Sequence, residues 1–453
     1  MTADMKDVVV IGAGPAGMSA AAEARALGMS VTVLDEQQAL GGQIYRRVED
    51  APQALQAILG KDYSAGAALA KEFGRSGAEY QPGATVWNLS DDGVIDYVAD
   101  GKSRTIEASH VVIATGAMER PFPISGWTIP GVMGAGAAQI MLKGSDARPA
   151  GPVILAGCGP LLYLLAWQYL QAKVQLAGLV DTTALSAYVS ALGKIHGAVR
   201  GRKDLIKGLG LISRIRMAGV PIYSGASALE ILGQERAEGL RFRHKGKSRE
   251  LSAGLILLHQ GVVPNTQLSW SLRAKHHWDS GQLCWVPVTD DAGRLADTNI
   301  YVVGDSRRIV GALASAVQGR LAALAIHERN GGTVSPARKA DLHAQFATHT
   351  ALRPFIDRLY RPLDEHRIPA DDVIVCRCEE VTAGDLRGYV DLGCLGPNQA
   401  KSFGRCGMGP CQGRLCGLTV TEVIASARNV GPDEVGYYRI RPPIKPIHLG
   451  SFY

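Results

Sequence analysis

The sequence lacks a dominant charge. Its 48 Lys and Arg stand against 42 Asp and Glu, a net +6 over 453 residues. Aromatics are only 6% and do not interleave with basic runs, so no nucleic-acid partner is expected. An uninterrupted membrane-spanning run is missing as well. Two uncharged stretches, 121–142 and 151–172, are broken by Pro121, Pro123 and Pro130 and by Pro152, Gly157, Gly159 and Pro160. Buried strand and helix are expected there, and no membrane span. Asp4, Lys6 and Asp7 precede the first apolar strand at Val8, so no charged-then-apolar leader is expected. None of the eight cysteines forms a Cys-x-x-Cys pair, which disfavours dithiol–disulfide chemistry. No Ser-His-Asp or Cys-His arrangement points to a nucleophile.

Glycine is what the chain has in excess. Its 54 residues are about 12% of the chain, against a usual ~7%, without the G-X-Y period of collagen. The surplus belongs in turns and ligand loops. At roughly 150 residues per domain, the length allows about three units.

The first glycine loop is GAGPAG, with Gly12, Gly14, Pro15, Ala16 and Gly17. It follows the apolar run VVVI and opens an alanine-rich helix that Gly28 stops. The next strand, VTVLD, ends in Asp35. This is a βαβ unit with each residue type in its place. Gly12 permits the tight turn, Gly14 lets the backbone approach a pyrophosphate, and Gly17 lets helix and strand pack closely. The helix N-terminus then presents unsatisfied N–H groups to phosphate. Asp35 is the expected ribose acceptor, with Glu36 as the neighbouring alternative. Residues 84–113 read as a meander ending in Thr115-Gly116. Near residue 300, IYVVGD ends in Gly304-Asp305 and is followed by a helix from Gly311-Ala312.

A second strand–turn–helix, VILAG then GCGP, carries Leu162 at the third glycine position. Leucine there hinders close helix–strand contact, so the fold is expected to survive while nucleotide binding is in doubt. Arg307 and Arg308 after Asp305 could clamp phosphate, crowd a flavin, or sit solvated. His259 reads as a satisfied strand-end histidine, with contact to a nucleotide as its alternative. His276-His277 reads as a solvated loop. The proline-rich tail could dock on a partner or strap the chain's own surface.

Six cysteines fall within 41 residues, Cys376 to Cys416, whereas Cys158 and Cys284 are isolated. Clustering of this kind in a chain without secreted character points to metal or a cluster. Cys376 and Cys378 form a C-x-C pair that can serve one iron. C-x₄-C occurs twice, as Cys411/Cys416 and as Cys406/Cys411, and either pair can serve the other iron. Structural zinc also takes four cysteines, but usually from C-x₂₋₄-C knuckles. The GMGP turn offers N–H donors to bridging sulfides.

The order GxGxxG, ATG, second GxG, GVVPN and GD resembles two-dinucleotide-domain flavoproteins of the thioredoxin- and glutathione-reductase type. That resemblance implies an α/β fold with two Rossmann-like dinucleotide-binding domains. The FAD domain would be discontinuous, 1–118 and 288–332, with an NAD(P)-type domain, 119–287, inserted. Asp305 would bind the ribityl and pyrophosphate region, Gly42 and Gln43 would lie near the flavin, and Val86 near the adenine. A helical linker, 333–370, would lead to a small α-rich [2Fe-2S] domain, 371–426, similar to bacterioferritin-associated ferredoxin, and an extended tail, 427–453.

More of the chain is covered by GGQIYRR, ERPFPISGWTIPGVM, GCGPLLYLLA, GMGPCQGRLC and RPPIKP. These resemble the two-dinucleotide-domain subunits of opine oxidases, hydrogen cyanide synthase and D-hydroxyproline or proline dehydrogenases, and part of the sarcosine oxidase alpha subunit. The resemblance implies an electron-transfer subunit holding FAD, or an adenine nucleotide in its place, and a [2Fe-2S] cluster on Cys376, Cys378, Cys411 and Cys416. It also implies, as partner, a D-amino-acid-oxidase-like FAD subunit, with FMN at their interface. A downstream electron acceptor and a small ferredoxin-like [2Fe-2S] subunit complete the implied assembly. The implied location is the cytoplasm, in solution or against the inner membrane face. A stand-alone NAD(P)H-dependent flavin reductase and a nucleotide-holding scaffold are the rival readings.

Overall fold

The computed structural model describes residues 5–194 and 201–453. Two compact units account for the chain: 1–118 with 263–350 and 439–453, and 119–262 with 351–438. The second unit begins at 119, and its first segment closes at 262, inside the expected 119–287. Asn265 explains this: its N–H donates to the Gly116 carbonyl (3.0 Å). Gln282 then ties the same segment to the Ile309 carbonyl (2.8 Å).

The first unit is built on parallel strands. Lys6–Ile11 pairs with Val31–Leu34 on one side and with Lys102–Ile113 on the other. Glu79–Gln81 and Ile300–Val302 extend the sheet outward. Strands buried on both faces need continuous apolar runs, and Val8, Val9 and Val10 are fully buried. The first half of Lys102–Ile113 also pairs antiparallel with Val94–Ala99, which pairs with Thr85–Leu89. That is the expected meander. Helix Ala312–Arg329 lies against helix Pro15–Ala26 so closely that a Cβ on Gly319 would collide with the Ala16 carbonyl.

The second unit carries its own parallel sheet, in the order Ile222–Ser224, Leu176–Asp181, Val153–Cys158, Leu255–Gln260, Val132–Gly134. Helices Pro336–Thr350 and Arg353–Leu359 form in the expected linker, the first in unit one and the second in unit two. Beyond them is the cysteine-rich region. A short hairpin, Ile374–Cys376 with Val381–Thr382, precedes helices Ala383–Asp391, Pro397–Gly404 and Gly417–Arg428. Thr382 and Asp385 cap the first of these reciprocally, as the T-x-x-D spacing requires. The region is fixed to the second sheet's unit. The Trp127 indole N–H donates to the Ile374 carbonyl (2.7 Å), and Arg377 lies over the Trp127 ring. Among the described residues, no helix is long and apolar enough to cross a membrane.

Candidate dinucleotide cradle and cysteine centre

In the first unit the predicted glycines converge. Gly12 has φ +106°, and a Cβ there would stand 2.6 Å from the Ala114 carbonyl oxygen. A Cβ on Gly17 would overlap the Gly12 carbonyl. Gly42, at φ +59°, touches Gly14 alone, and a Cβ there would be 2.9 Å from the Gly14 Cα. Gly304 packs on Ala16, and Thr115 Oγ1 donates to the Asn265 carbonyl (3.2 Å). Helix Pro15–Ala26 begins at Gly14 without a side-chain cap, and helix Ala312–Arg329 begins at Gly311 likewise. Their first-turn N–H groups therefore remain available to an anion. Asp305 accepts from the Val310 and Gly311 N–H groups (2.8 and 2.9 Å) and so fixes the loop before the second helix.

Asp35 is buried, and its oxygens accept from the Ala13 and Gln37 N–H groups (2.8 and 2.9 Å). Burial pushes its carboxyl above the ordinary range, against those two bonds. Its role in this structure is to brace the glycine loop. Glu36 is paired with Lys445 from the tail. Val86 is buried in its strand and Gln43 is exposed. The tail straps the first unit: the Ile444 N–H donates to the Trp87 carbonyl (2.9 Å), and Phe452 meets the Trp87 ring edge-on. Both extra arginines are engaged. Arg307 donates to the Asp290 carbonyl (2.8 Å) and Arg308 pairs with Asp279 (2.8 Å); both line an open cleft with His277 and Trp278. His276 is not in a solvated loop. It lies on strand His276–Asp279, stacked on Trp270 and bonded to Ser269 Oγ (2.9 Å).

The second motif also folds, but its ligand edge is filled. Asp181, the strand-end acid, is fully buried. It accepts from Tyr163 Oη (2.7 Å), Thr183 Oγ1 (2.6 Å) and the Thr183 N–H (2.9 Å). Dinucleotides bind such folds at the carboxyl ends of the strands. At those ends, Cys158 Sγ donates to the Tyr360 carbonyl (3.5 Å) and Gln260 Nε2 to the His366 carbonyl (3.1 Å). The chain's own segment from Tyr360 to His366 lies where a second nucleotide would be expected. His259 is buried and hydrogen-bonded to Glu119 (2.7 Å), the satisfied form of that residue.

The cysteine loop brings together more thiols than the four predicted. The sulfurs of Cys376, Cys406 and Cys416 lie within 4.8 Å of one another, and Cys378 is hydrogen-bonded to Cys411. Cys394 stands apart, bonded to the Gly396 carbonyl. Hydrogen bonds from Cys406 and Cys416, with the Gly407 N–H, draw the Cys376 thiol down to about 2 against the cost of burial. Such a convergence of soft donors fits a metal or iron–sulfur centre. Sequence reasoning missed what packs behind it. Tyr438 Oη lies 3.4 Å from Cys406 Sγ and 3.7 Å from Cys416 Sγ. The Tyr438 ring occupies the space where Cβ atoms on Gly407 and Gly413 would stand, and Tyr437 does the same at Gly417. The signal for it is the glycine spacing in GMGPCQGRLCG, which admits aromatic rings as well as offering N–H donors.

Comparisons with known proteins agree with this layout. Residues 6–146 match the pyridine nucleotide-disulphide oxidoreductase family, and residues 373–452 match the sarcosine oxidase A3 domain. The opine oxidase A-type subunit of Rhizobium meliloti is 44% identical over 98% of this chain and 86% of its own length. Hydrogen cyanide synthase subunit HcnB of Pseudomonas aeruginosa is 30% identical over 98% and 97%. The L-proline dehydrogenase structure from P. horikoshii superposes with a TM-score of 0.74 at 19% identity, covering 99% of this chain and 79% of that one. The fold is therefore α/β of the dinucleotide-binding oxidoreductase type, and the chain belongs to the family of opine oxidase A-type subunits.

Proposed function

We propose that this chain is the electron-transfer subunit of a multisubunit flavin-dependent dehydrogenase, whose amine or imino-acid substrate (opine, hydroxyproline, proline or glycine type) is oxidised on a partner subunit. The observation that carries this reading is one chain holding both an open dinucleotide cradle and a convergent thiol centre. Gly12, Gly14, Pro15, Ala16, Gly17, Thr115, Gly116, Gly304, Asp305, Gly311 and Ala312 would hold FAD, or an adenine nucleotide in its place. Asp35, with Glu36 as its alternative, and Val86 would flank its adenosine end, and Gly42 and Gln43 its flavin end. Cys376, Cys378, Cys411 and Cys416 would hold a [2Fe-2S] cluster, with Cys406 as the alternative fourth ligand. When bound, a flavin takes up two electrons and a two-iron cluster passes them singly. The chain's own residues then bind and orient: Asp305 fixes the second helix N-terminus, Asp35 braces the glycine loop, and the Gly407 N–H points at the Cys376 sulfur. No side-chain acid, base or nucleophile is required of this subunit.

The names of the relatives support partner subunits, which we take to be a D-amino-acid-oxidase-like FAD subunit with FMN at the shared interface and a small ferredoxin-like subunit. A downstream acceptor then takes the electrons. The filled edge of the second dinucleotide fold weighs against a stand-alone NAD(P)H reductase. The test is the visible and EPR spectrum of anaerobically purified protein. Flavin bands and a rhombic reduced-cluster signal are expected. Cys411→Ala should abolish the cluster signal while Cys406→Ala spares it. Loss in the second variant alone would reverse the ligand assignment. A colourless protein containing zinc would refute the electron-transfer role, and ATP or ADP extracted in place of FAD would point to the scaffold.

A further inference from the structure

Residues 439–453 belong to the first unit, and they meet it where its second strand, Val31–Leu34, ends. Lys445 pairs with Glu36, 409 positions away along the chain. Its ammonium is also close enough to Asp35 that each acts on the other's charge. One residue earlier, the Ile444 N–H donates to the Trp87 carbonyl (2.9 Å), beside Val86 in the strand Thr85–Leu89. The Ile444 side chain is 4% exposed and therefore seated. The short turn of helix Leu449–Phe452 follows, and Phe452 meets the Trp87 ring. These contacts fall on Asp35, on Glu36 and on the strand of Val86, the residues that would flank the adenosine end of a nucleotide.

The acid at this strand end is the ribose acceptor of such folds. Asp35 commits one oxygen to the Ala13 N–H and the other to the Gln37 N–H (2.8 and 2.9 Å). The Glu36 side chain keeps 44% of its surface exposed, and a carboxylate so placed can swing into water. An ionised carboxylate has about four lone-pair sites. An ammonium on one side holds it in place and leaves the remaining sites for hydroxyls. Two neighbouring acids also repel the phosphates of a nucleotide, and a cation beside both offsets that repulsion. Whichever acid takes the ribose, Lys445 stands next to it.

We infer that the tail is a clasp on the adenosine end of the first cradle, with Lys445 as its positioning residue. The inference rests on the reading of that cradle as a nucleotide site. FAD and ADP share the adenosine portion, so the clasp serves either. By linkage, whatever affinity the closed tail adds to the nucleotide, bound nucleotide adds to tail closure. The full chain, freed of nucleotide, is titrated calorimetrically with FAD and with ADP. Lys445→Met should weaken both about fivefold, the worth of a half-exposed ion pair, and the loss should shrink at high salt. Lys445→Arg should keep the affinity. Deleting 441–453 should weaken both nucleotides about 30-fold. In the unaltered chain, nucleotide should slow hydrogen exchange at the Ile444 amide by a similar factor, a readout that stands even if the shortened chain fails to fold. Unchanged affinity in Lys445→Met overturns the role of Lys445, and Ile444 exchange indifferent to nucleotide overturns the clasp. Weakening of FAD without weakening of ADP also overturns it and places the tail's effect at the flavin end. Failure of the unaltered chain to bind either nucleotide overturns the reading of the cradle, and the clasp with it.

Discussion

The two units use glycine for opposite purposes. In the first, glycines leave room for something the chain does not supply. A Cβ on Gly14 would meet only the Gly42 Cα, at 3.9 Å, and Cβ atoms on Gly116 and Gly311 would meet nothing within 4 Å. In the second, the room is taken by the chain itself. Gly407 and Gly413 accommodate Tyr438, Gly417 accommodates Tyr437, and Gly157 is closed by His259 and Phe122. A glycine-rich turn is thus evidence of close approach, and what approaches must be read from the surroundings.

The largest effect should come from filling the first cradle. A side chain on Gly17 collides with the Gly12 carbonyl, and overpacking of this kind costs about 3 kcal/mol of folding stability unless the glycine loop shifts out of place. Gly17→Val should therefore purify without nucleotide, read from the released supernatant after heat denaturation. The second unit should show the converse. Leu162→Gly restores the third glycine, yet titration calorimetry with NADH should show no binding, because Tyr360 to His366 still covers the strand ends. Binding by that variant would dissolve the contrast between the two halves.

Acid pH should weaken both units, the first through His276, which burial draws down to about 4, and the second through His366. His366, in the covering segment of the second unit, is 2% exposed; its Nε2 stands 3.4 Å from a Glu365 carboxylate oxygen, and neither ring nitrogen makes a hydrogen bond. Burial draws it from 6.5 down to about 4. The unfolded chain therefore binds the proton first as pH falls, and folding loses stability below 6.5. At 1.36 kcal/mol per pH unit the loss reaches about 3 kcal/mol by pH 4. Urea unfolding of the second unit at neutral and acid pH should show it, and His366→Phe should reduce the difference.

Much of this was legible because local rules and tertiary structure agree. The strand–GAGPAG–helix unit, the meander and the Thr382 cap all depend on short-range spacing. What was not legible depends on distant residues. Asp35 has the position of a ribose acceptor, and it also accepts from Ala13 and Gln37, bonds that the spacing does not announce. His276 stacks on Trp270 because a hairpin returns it to the core, which no local pattern shows. Spacing left Cys406 as an alternative. Three-dimensional packing then set its sulfur beside Cys376 and Cys416, and a tyrosine 32 residues away reaches it.

That tyrosine supplies the finest test of the comparison. If the second unit's glycines exist to admit Tyr438, its hydroxyl should matter to the sulfurs it reaches. Tyr438 is almost fully buried, and Lys401 lies over its ring (4.7 Å). Of the two sulfurs the hydroxyl reaches, Cys416 is the proposed ligand (3.7 Å), and a hydroxyl donating to that sulfur would stabilise the more negative, reduced state of a cluster and raise its potential. One such bond is worth about 1 kcal/mol, or about 40 mV for a single electron. Tyr438→Phe keeps the ring between Gly407 and Gly413 and removes only the donor. The iron and sulfide content should stay the same while the midpoint falls by about that amount in an EPR-monitored titration. An unchanged midpoint with an intact cluster would mean that the tyrosine fills space and does no more, and the second unit's glycines would then serve packing alone.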